Sequence, residues 1–354
     1  MIGLKGLPAF GGAAAVGENI IEHLKDQYDF TVYATSSHTD KKGRLNGFQQ
    51  IVFKALSFTK MNTFYYYVVS ALHAVLFKNY DLIHLHHRDA AFILPFLRLR
   101  YKTILTIHGF GTSDLSDKWN KYRWFFEIQE RFFVKQADEI ISVSERERTL
   151  IESKINKTVS YIPNGVYLNY TTRIKEDYLM FAAGRIVSFK RCDVFLSALN
   201  EINYKGKVLI AGDLEQSIDY KKKILDLSKN LHVEFLGLVL DKNKLMEYYS
   251  KASLFIFPSS REAMSMVLLE AASTGTPIIC SDILGNKNIF SNDEVLFFET
   301  DNVSDLASKI KWANANIDLM HEKAQKALNK IRVNHQWHDI ASSYDKIFKK
   351  FIKI

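Results

Sequence analysis

Short apolar runs alternate with longer amphipathic stretches along almost the whole chain. Phe30–Ala34 (FTVYA), Leu82–Leu85 (LIHL), Thr103–Ile107 (TILTI), Glu139–Val143 (EIISV) and Val159–Ile162 (VSYI) read as buried strands. Helical patterns near 13–27, 62–78, 119–136 and 145–154 lie between them. The series then restarts with Leu179–Ala183, Val208–Ala211, Val233–Leu236, Leu254–Phe257, Pro277–Cys280 and Val295–Phe298 as strands. Helices are expected near 190–203, 216–230, 242–250, 264–274 and 303–313. Strands interleaved with helices predict mostly parallel sheets covered on both faces.

Two such series make this an α/β chain of two doubly wound, Rossmann-like domains, and 354 residues suffice for two cores. The turn-forming cluster Pro163-Asn164-Gly165 marks the break, giving domains 1–164 and 165–339. From about residue 317 the chain is helical, and its end, YDKIFKKFIKI, sets Lys among Ile and Phe at near-helical spacing. Two readings stay open for it: the segment of about 340–354 packs back on the first domain, or it lies on an anionic membrane. The opening strand is short, because only about four residues precede Gly6. Either that strand is truncated or residues are lacking before Met1.

Composition narrows the class. A hydrophobic share of 47% and a charged share of 24% are those of a globular protein. The longest apolar stretch, Phe64–Phe77, is shorter than the roughly 20 residues that span a bilayer, so it reads as a core helix. Cys192 and Cys280 have no metal-ligand spacing, and the start MIGLKGLPAF carries no leader pattern. Both favour the cytoplasm. A formal charge of +8 favours an anionic partner: a diphosphate, a membrane surface or nucleic acid. No RNA-binding aromatic signature, zinc finger or recognition helix supports the last.

The chemistry concentrates in SSREAMSMVLLEAASTGTPI, residues 259–278, with Glu262 and Glu270 eight positions apart. Glu270 interrupts an apolar run, and a buried carboxylate needs a partner. On one continuous helix the two would stand about 12 Å apart on roughly one side, suited to an elongated polyhydroxyl ligand. Ser259 and Ser260 follow a strand, so the amides of Met264, Ser265 and Met266 would open the next helix toward an anion. Arg185 and Lys190 follow the first strand of the second domain, where cations could neutralise a departing diphosphate. Gly11 and Gly12 sit at a strand-to-helix turn that could approach a phosphate or be a plain tight turn. His108 ends TILTI at a strand's carboxyl end, where ligands of open sheets bind. His84 and His86 share a face and read as buried rather than metal-bound, and His87 follows them. No Asp-x-Asp is present, so the diphosphate would be held by Arg and Lys without a metal or other cofactor.

Together these residues resemble the retaining glycosyltransferases of family 4. The match runs through GLPAFGG, TIHG, SVSE, IPNGV and GRIVSFKR to PSSREAMSMVLLEAASTGTPIICSDILG. The resemblance implies the GT-B fold, two Rossmann-like domains whose parallel sheets face a cleft. It implies Gly12 at the donor phosphates, His108 at the sugar hydroxyls, and Arg185 and Lys190 at the diphosphate. Glu262 would sit beside the transferred sugar, Glu270 at the ribose hydroxyls, and Met264–Met266 at the phosphates. Ala263 replaces the Gly common after the first Glu, and Asn288 stands where many members carry Glu. The opening GLKGLPAFGG is similar to the subgroup that builds bacterial surface polysaccharides. The expected activity is metal-independent transfer of a hexose, with retention, from a nucleotide-sugar to a saccharide or lipid-linked acceptor. The expected location is the cytoplasm, at the inner face of the membrane. A nucleotide-sugar epimerase and a non-catalytic partner of another transferase are the alternatives.

Overall fold

A computed structural model describes residues 1–9, 11–56, 59–109, 123–168 and 175–352. The chain divides into two compact units, Met1–Asn164 with Trp337–Ile354, and Gly165–Gln336.

In the first unit, β1 (Phe30–Thr35), β2 (Gly43–Leu45) and β3 (Phe48–Phe53) form one strip, with β2 antiparallel to β3. A second strip is parallel and runs β4 (Leu82–His86), β5 (Lys102–Ile107), β6 (Glu139–Ser142), β7 (Ser160–Tyr161). Met1–Lys5 joins the two. Tyr33 N–H donates to Met1 O at 3.0 Å, and Thr35 N–H to Lys5 O at 3.1 Å. On the other side Ile2 N–H donates to His84 O at 2.9 Å, and His86 N–H to Ile2 O at 2.8 Å. The short opening strand is therefore central, though reduced to isolated bridges, because Gly3 (φ 111°) and Lys5 (φ 65°) leave the extended region. Tyr66 supplies the missing pairing: its hydroxyl accepts from Gly3 N–H at 2.9 Å and donates to Tyr33 O at 2.8 Å.

Helices cover this sheet. They are α1 (Gly12–Leu24), α2 (Thr59–Phe77), the short α3 (Leu94–Leu97), α4 (Arg123–Ile128) and α5 (Glu145–Ile155). In α1 the buried positions Val16, Gly17, Ile20, Ile21 and Leu24 recur at helical spacing. Gly17 leaves room for Leu4 of the opening strand, since a Cβ there would lie 2.4 Å from a methyl of Leu4 and force that side chain to shift. The single helix expected at 119–136 is not continuous. Its positions 119–122 lie outside the described residues, and after α4 the chain passes through a π turn (Gln129–Phe133) and a 3₁₀ turn (Val134–Gln136). Strands β2 and β3 were not expected, because the buried Gln50 breaks the apolar run. Gln50 is satisfied in place by Leu7 N–H (2.9 Å), Leu7 O (3.1 Å) and Lys41 O (2.7 Å).

The second unit has one fully parallel sheet. Its strands are β8 (Glu176–Arg185), β9 (Lys207–Asp213), β10 (His232–Gly237), β11 (Ala252–Phe257), β12 (Ile278–Ser281) and β13 (Leu296–Phe298). Their spatial order is β10-β9-β8-β11-β12-β13. Numbered within the unit this is 3-2-1-4-5-6, the order of dinucleotide-binding sheets, with the switch point between β8 and β11. The helices are α6 (Cys192–Glu201), α7 (Ile218–Ser228), α8 (Lys242–Lys251), α9 (Met266–Ser273), α10 (Leu284–Lys287), α11 (Val303–Ala315) and α12 (Ile317–Asn334).

The chain then returns to the first unit as α13 (Trp337–Phe348), beginning before the expected residue 340. Trp337, Ile340, Ala341, Tyr344, Ile347 and Phe348 are buried. Phe348 meets Tyr28 edge-on at 5.5 Å, and Tyr28 OH donates to Asp345 Oδ1 at 2.7 Å. Of the two readings of the tail, the apolar face packs on the protein. Residues 353 and 354 of the tail lie outside the described residues.

Candidate active site

Chain order places the second unit's switch point just beyond Arg185 and Phe257. The loop after β8 turns through Ser188–Lys190 into Arg191, a left-handed residue (φ 54°). The loop after β11 is stitched to it. Phe189 O accepts from Ser260 N–H at 2.8 Å and from the hydroxyls of Ser260 (3.1 Å) and Ser259 (3.2 Å). This brings Lys190 Nζ to 2.5 Å from Glu262 Oε1, with Ser259 Oγ donating to the same oxygen at 2.9 Å. Both side chains of the pair are largely buried, at 17% and 13% exposure. Lys190 also lies over the rings of Phe189 (5.5 Å) and Phe257 (5.7 Å), a favourable cation–π setting.

A third loop closes on the same residue. Ser281 Oγ donates to Ser259 O, and Asn286 Nδ2 donates to Ser281 O at 2.9 Å. Beside it, a Cβ on Gly285 would lie 2.1 Å from Glu262 O. Only glycine lets that loop approach the Glu262 backbone so closely.

The helix expected to carry both glutamates carries one. Ser265 is the N-cap of α9, its Oγ accepting from Leu268 N–H at 3.4 Å, so the helix begins at Met266 and not at 264. Glu262 lies in the loop before it, and the separation calculated for one continuous helix does not apply. The amides opening the helix are those of Met266 and Val267, because Leu268 N–H is already capped; Met264 and Ser265 are buried. Glu270 is buried within α9, as its apolar neighbours required, and its Oε1 accepts from Lys242 Nζ at 2.5 Å. Lys242, the first residue of α8, escapes sequence reasoning, because nothing local ties it to a carboxylate 28 positions on.

Arg185 is exposed at the end of β8, in register with Asp213. It bonds neither glutamate in the described contacts, although it contributes to holding the Asp213 carboxyl below its usual range, after that group's bonds with Glu215 and Gln216. Lys190 and Arg191 diverge as adjacent side chains must; Arg191 Nε pairs with Asp301 Oδ1 at 2.6 Å. Asn288 is exposed at the end of α10.

In the first unit, Gly11 caps α1 in an extended conformation and Gly12 is its first residue; Phe10 between Ala9 and Gly11 is outside the described residues. His108 is half-buried beyond β5, with Nε2 3.1 Å from Nδ1 of the fully buried His86. His84 Nε2 lies 2.8 Å from Thr106 Oγ1. Burial holds the imidazoles of His84 (down to about 3), His86 and His108 well below the usual value, so they stand as neutral rings. His86 was expected to be a buried ring and nothing more; its bond to His108 is additional.

Two family models match complementary parts of the chain: Glycosyltransferase Family 4 over residues 10–170, and Glycosyl transferases group 1 over residues 170–330. The chain belongs to glycosyltransferase family 4. Among its relatives is the N-acetyl-alpha-D-glucosaminyl L-malate synthase of Bacillus anthracis, 23% identical, with 98% of this chain and 96% of that one covered. The capsular polysaccharide biosynthesis glycosyltransferase CapM of Staphylococcus aureus is 25% identical, over 73% and 74% of the two chains. Among solved structures, the sucrose-phosphate synthase of Thermosynechococcus elongatus superposes with a TM-score of 0.83 at 19% identity, covering 96% and 93%. Anabaena HepE in complex with UDP-glucose gives 0.76 at 16% identity, covering 99% and 98%. These neighbours establish GT-B as the fold of this glycosyltransferase. None of its described helices is long and apolar enough to cross a membrane.

Proposed function

We propose that this glycosyltransferase moves a hexose, with retention and without a metal, from a nucleotide-diphosphate sugar to a saccharide or lipid-linked acceptor in surface polysaccharide synthesis. The observation that carries the reading is the convergence of Lys190, Glu262 and Ser259 where β8 and β11 end, with Glu270 buried in the helix that follows. Ligands of open α/β sheets bind outside such a switch point. The uridine nucleotide in the HepE complex and the capsular role of CapM support a UDP-sugar and a polysaccharide product. A further GT-B neighbour, a trehalose-6-phosphate synthase studied for glycosyltransfer with retention, has a TM-score of 0.73 and supports the stereochemistry.

In this reading Lys190, Arg185 and the amides opening α9 bear on the departing diphosphate. Their fixed positive ends would stabilise charge that grows as the sugar–phosphate bond breaks. Glu270 accepts from the ribose hydroxyls, Glu262 faces the sugar, and in the first unit His108 contacts a sugar hydroxyl while Gly11 and Gly12 adjoin the phosphates. The acceptor oxygen attacks on the face the diphosphate leaves, and its proton passes to the leaving phosphate oxygen. Lysine and arginine take the place a metal would hold, consistent with the lack of Asp-x-Asp.

A peripheral position on anionic membrane belongs to the same proposal, but α13 does not offer its apolar face for it. Leu76 (62% exposed) and Phe77 (72%) end α2, Leu99 (79%) lies between Arg98 and Arg100, and Arg100 Nη1 donates to Val75 O at 2.5 Å; this apolar, basic edge of the first unit suits a lipid surface better.

The test is transfer with and without acceptor, using UDP-hexoses selected by thermal shift, since a donor that binds only the folded state raises apparent stability. Glu270→Ala and Lys190→Ala should each severely reduce transfer while the protein stays folded. Wild-type transfer in both would overturn the assignment, and turnover that ignores the acceptor would point to an epimerase.

A further inference from the structure

His86 ends β4 and His108 follows β5. His86 is fully buried, its ring stacked on that of His108 with centroids 5.4 Å apart and 11° between planes. Its Nδ1 faces His108 Nε2, while its own Nε2 is buried without a hydrogen-bond partner. Its backbone is pinned as well. His86 N–H donates to Ile2 O, and Gly3 lies so close that a Cβ there would come within 2.0 Å of His86 O.

A neutral imidazole has one N–H, so the contact has two possible polarities. If His108 Nε2–H donated to His86 Nδ1, the His86 proton would sit on Nε2, a buried donor with no acceptor. If His86 Nδ1–H donates to His108 Nε2, the unpartnered Nε2 is a lone pair. Orphaned buried N–H groups are rarer than under-satisfied acceptors, because an unmet buried donor keeps its full desolvation cost. The second polarity is therefore favoured. His84 follows the same rule: Nε2 reaches Thr106 Oγ1, and its buried Nδ1 has no partner. Its ring packs on His86 with centroids 4.2 Å apart.

With Nε2 occupied as an acceptor, the proton of His108 lies on Nδ1. We propose that His86 is a positioning residue that fixes the tautomer of His108, so that His108 meets its substrate as a donor, through Nδ1–H, to a hydroxyl oxygen. The inference rests on the reading of His108 as a sugar contact, and goes beyond it by naming the atom, the direction of the bond and the residue that sets both.

Nitrogen-15 NMR of the histidine rings separates the tautomers directly in the wild-type protein. His108 and His86 should both be protonated at Nδ1; a proton on His108 Nε2 would overturn the proposal. His86→Phe keeps a ring but removes the donor, and should release the His108 tautomer and lower kcat/KM about 10–100-fold, as loss of orienting partners does. His86→Asn returns an N–H near Nδ1 and should restore the tautomer and part of the rate. A rate loss in His86→Phe with the His108 tautomer unchanged would mean mere packing and would overturn it too. His108→Phe with full transfer would sink the sugar-contact reading and with it the donor role of His108, whereas the control of its tautomer by His86 is decided by the spectrum.

Discussion

Glu262 owes its position to three loops that meet only in the folded chain. Lys190 reaches it from one, Ser259 from its own, and Gly285 makes room from the third. Removing the cation should matter most when negative charge develops on the departing group. Lys190→Ala is expected to lower kcat about 10²–10³-fold in a steady-state transfer assay. Gly285→Ala forces a methyl against Glu262 O, so it should cost about 1–3 kcal/mol in urea unfolding and displace the carboxylate, with transfer falling in parallel. The histidines make stability depend on pH. Folded His84 resists protonation down to about 3, whereas an unfolded imidazole takes its proton near its ordinary value of 6.5. Between those values the unfolded state binds more protons, so stability is full above the upper value and is lost as pH falls through the window. Unfolding at about pH 5 should need less denaturant than at about pH 7, and His84→Phe should flatten that difference in part. Glu270 was legible as a carboxylate in need of a buried partner because an apolar run surrounds it. The helix start is legible too, for Ser265 is a preferred cap and sets Glu262 outside the helix. Lys242 was not, since its pairing exists only after α8 and α9 pack.

At the scale of elements, periodicity located most strands and failed where tertiary partners replace it. Strand β3 carries Gln50 in its middle, a residue tolerated because the loop at Leu7 and Lys41 satisfies its amide. Met1–Lys5 looked too short for a strand, and regular pairing is indeed lost there, but Tyr66 bridges the gap. A pattern shows that α13 is amphipathic; it does not show which surface receives it. In the fold Phe348 is buried against Tyr28, Phe30, His84 and Tyr344. Phe348→Ala should therefore destabilise the protein by about 3–5 kcal/mol in chemical denaturation. A change under 1 kcal/mol, the order expected of a surface site, would contradict that docking.

For the whole molecule, the formal charge of +8 gives a long-range field that helps collect anions and is screened by salt. If the edge formed by Leu76, Phe77, Leu99, Arg98 and Arg100 meets a membrane, the protein should co-sediment with anionic vesicles at low salt. Neutral vesicles should retain little, and Phe77→Ser with Leu99→Ser should weaken capture several-fold. Equal capture by the double variant would remove that surface from consideration.

The return of α13 also fixes an order of events. Gly165–Gln336 is an insertion within the first unit, and its two ends are joined at the crossing, where Val166 N–H donates to His335 O at 2.7 Å. During synthesis the inserted unit is complete before Trp337 has been made, whereas the earlier unit still lacks its covering helix. The half of the chain that is translated first is thus the half that finishes folding last. A chain stopped at Gln336 should yield a protease-resistant core from 165–336 and a readily cleaved 1–164, and the reverse pattern would refute this order.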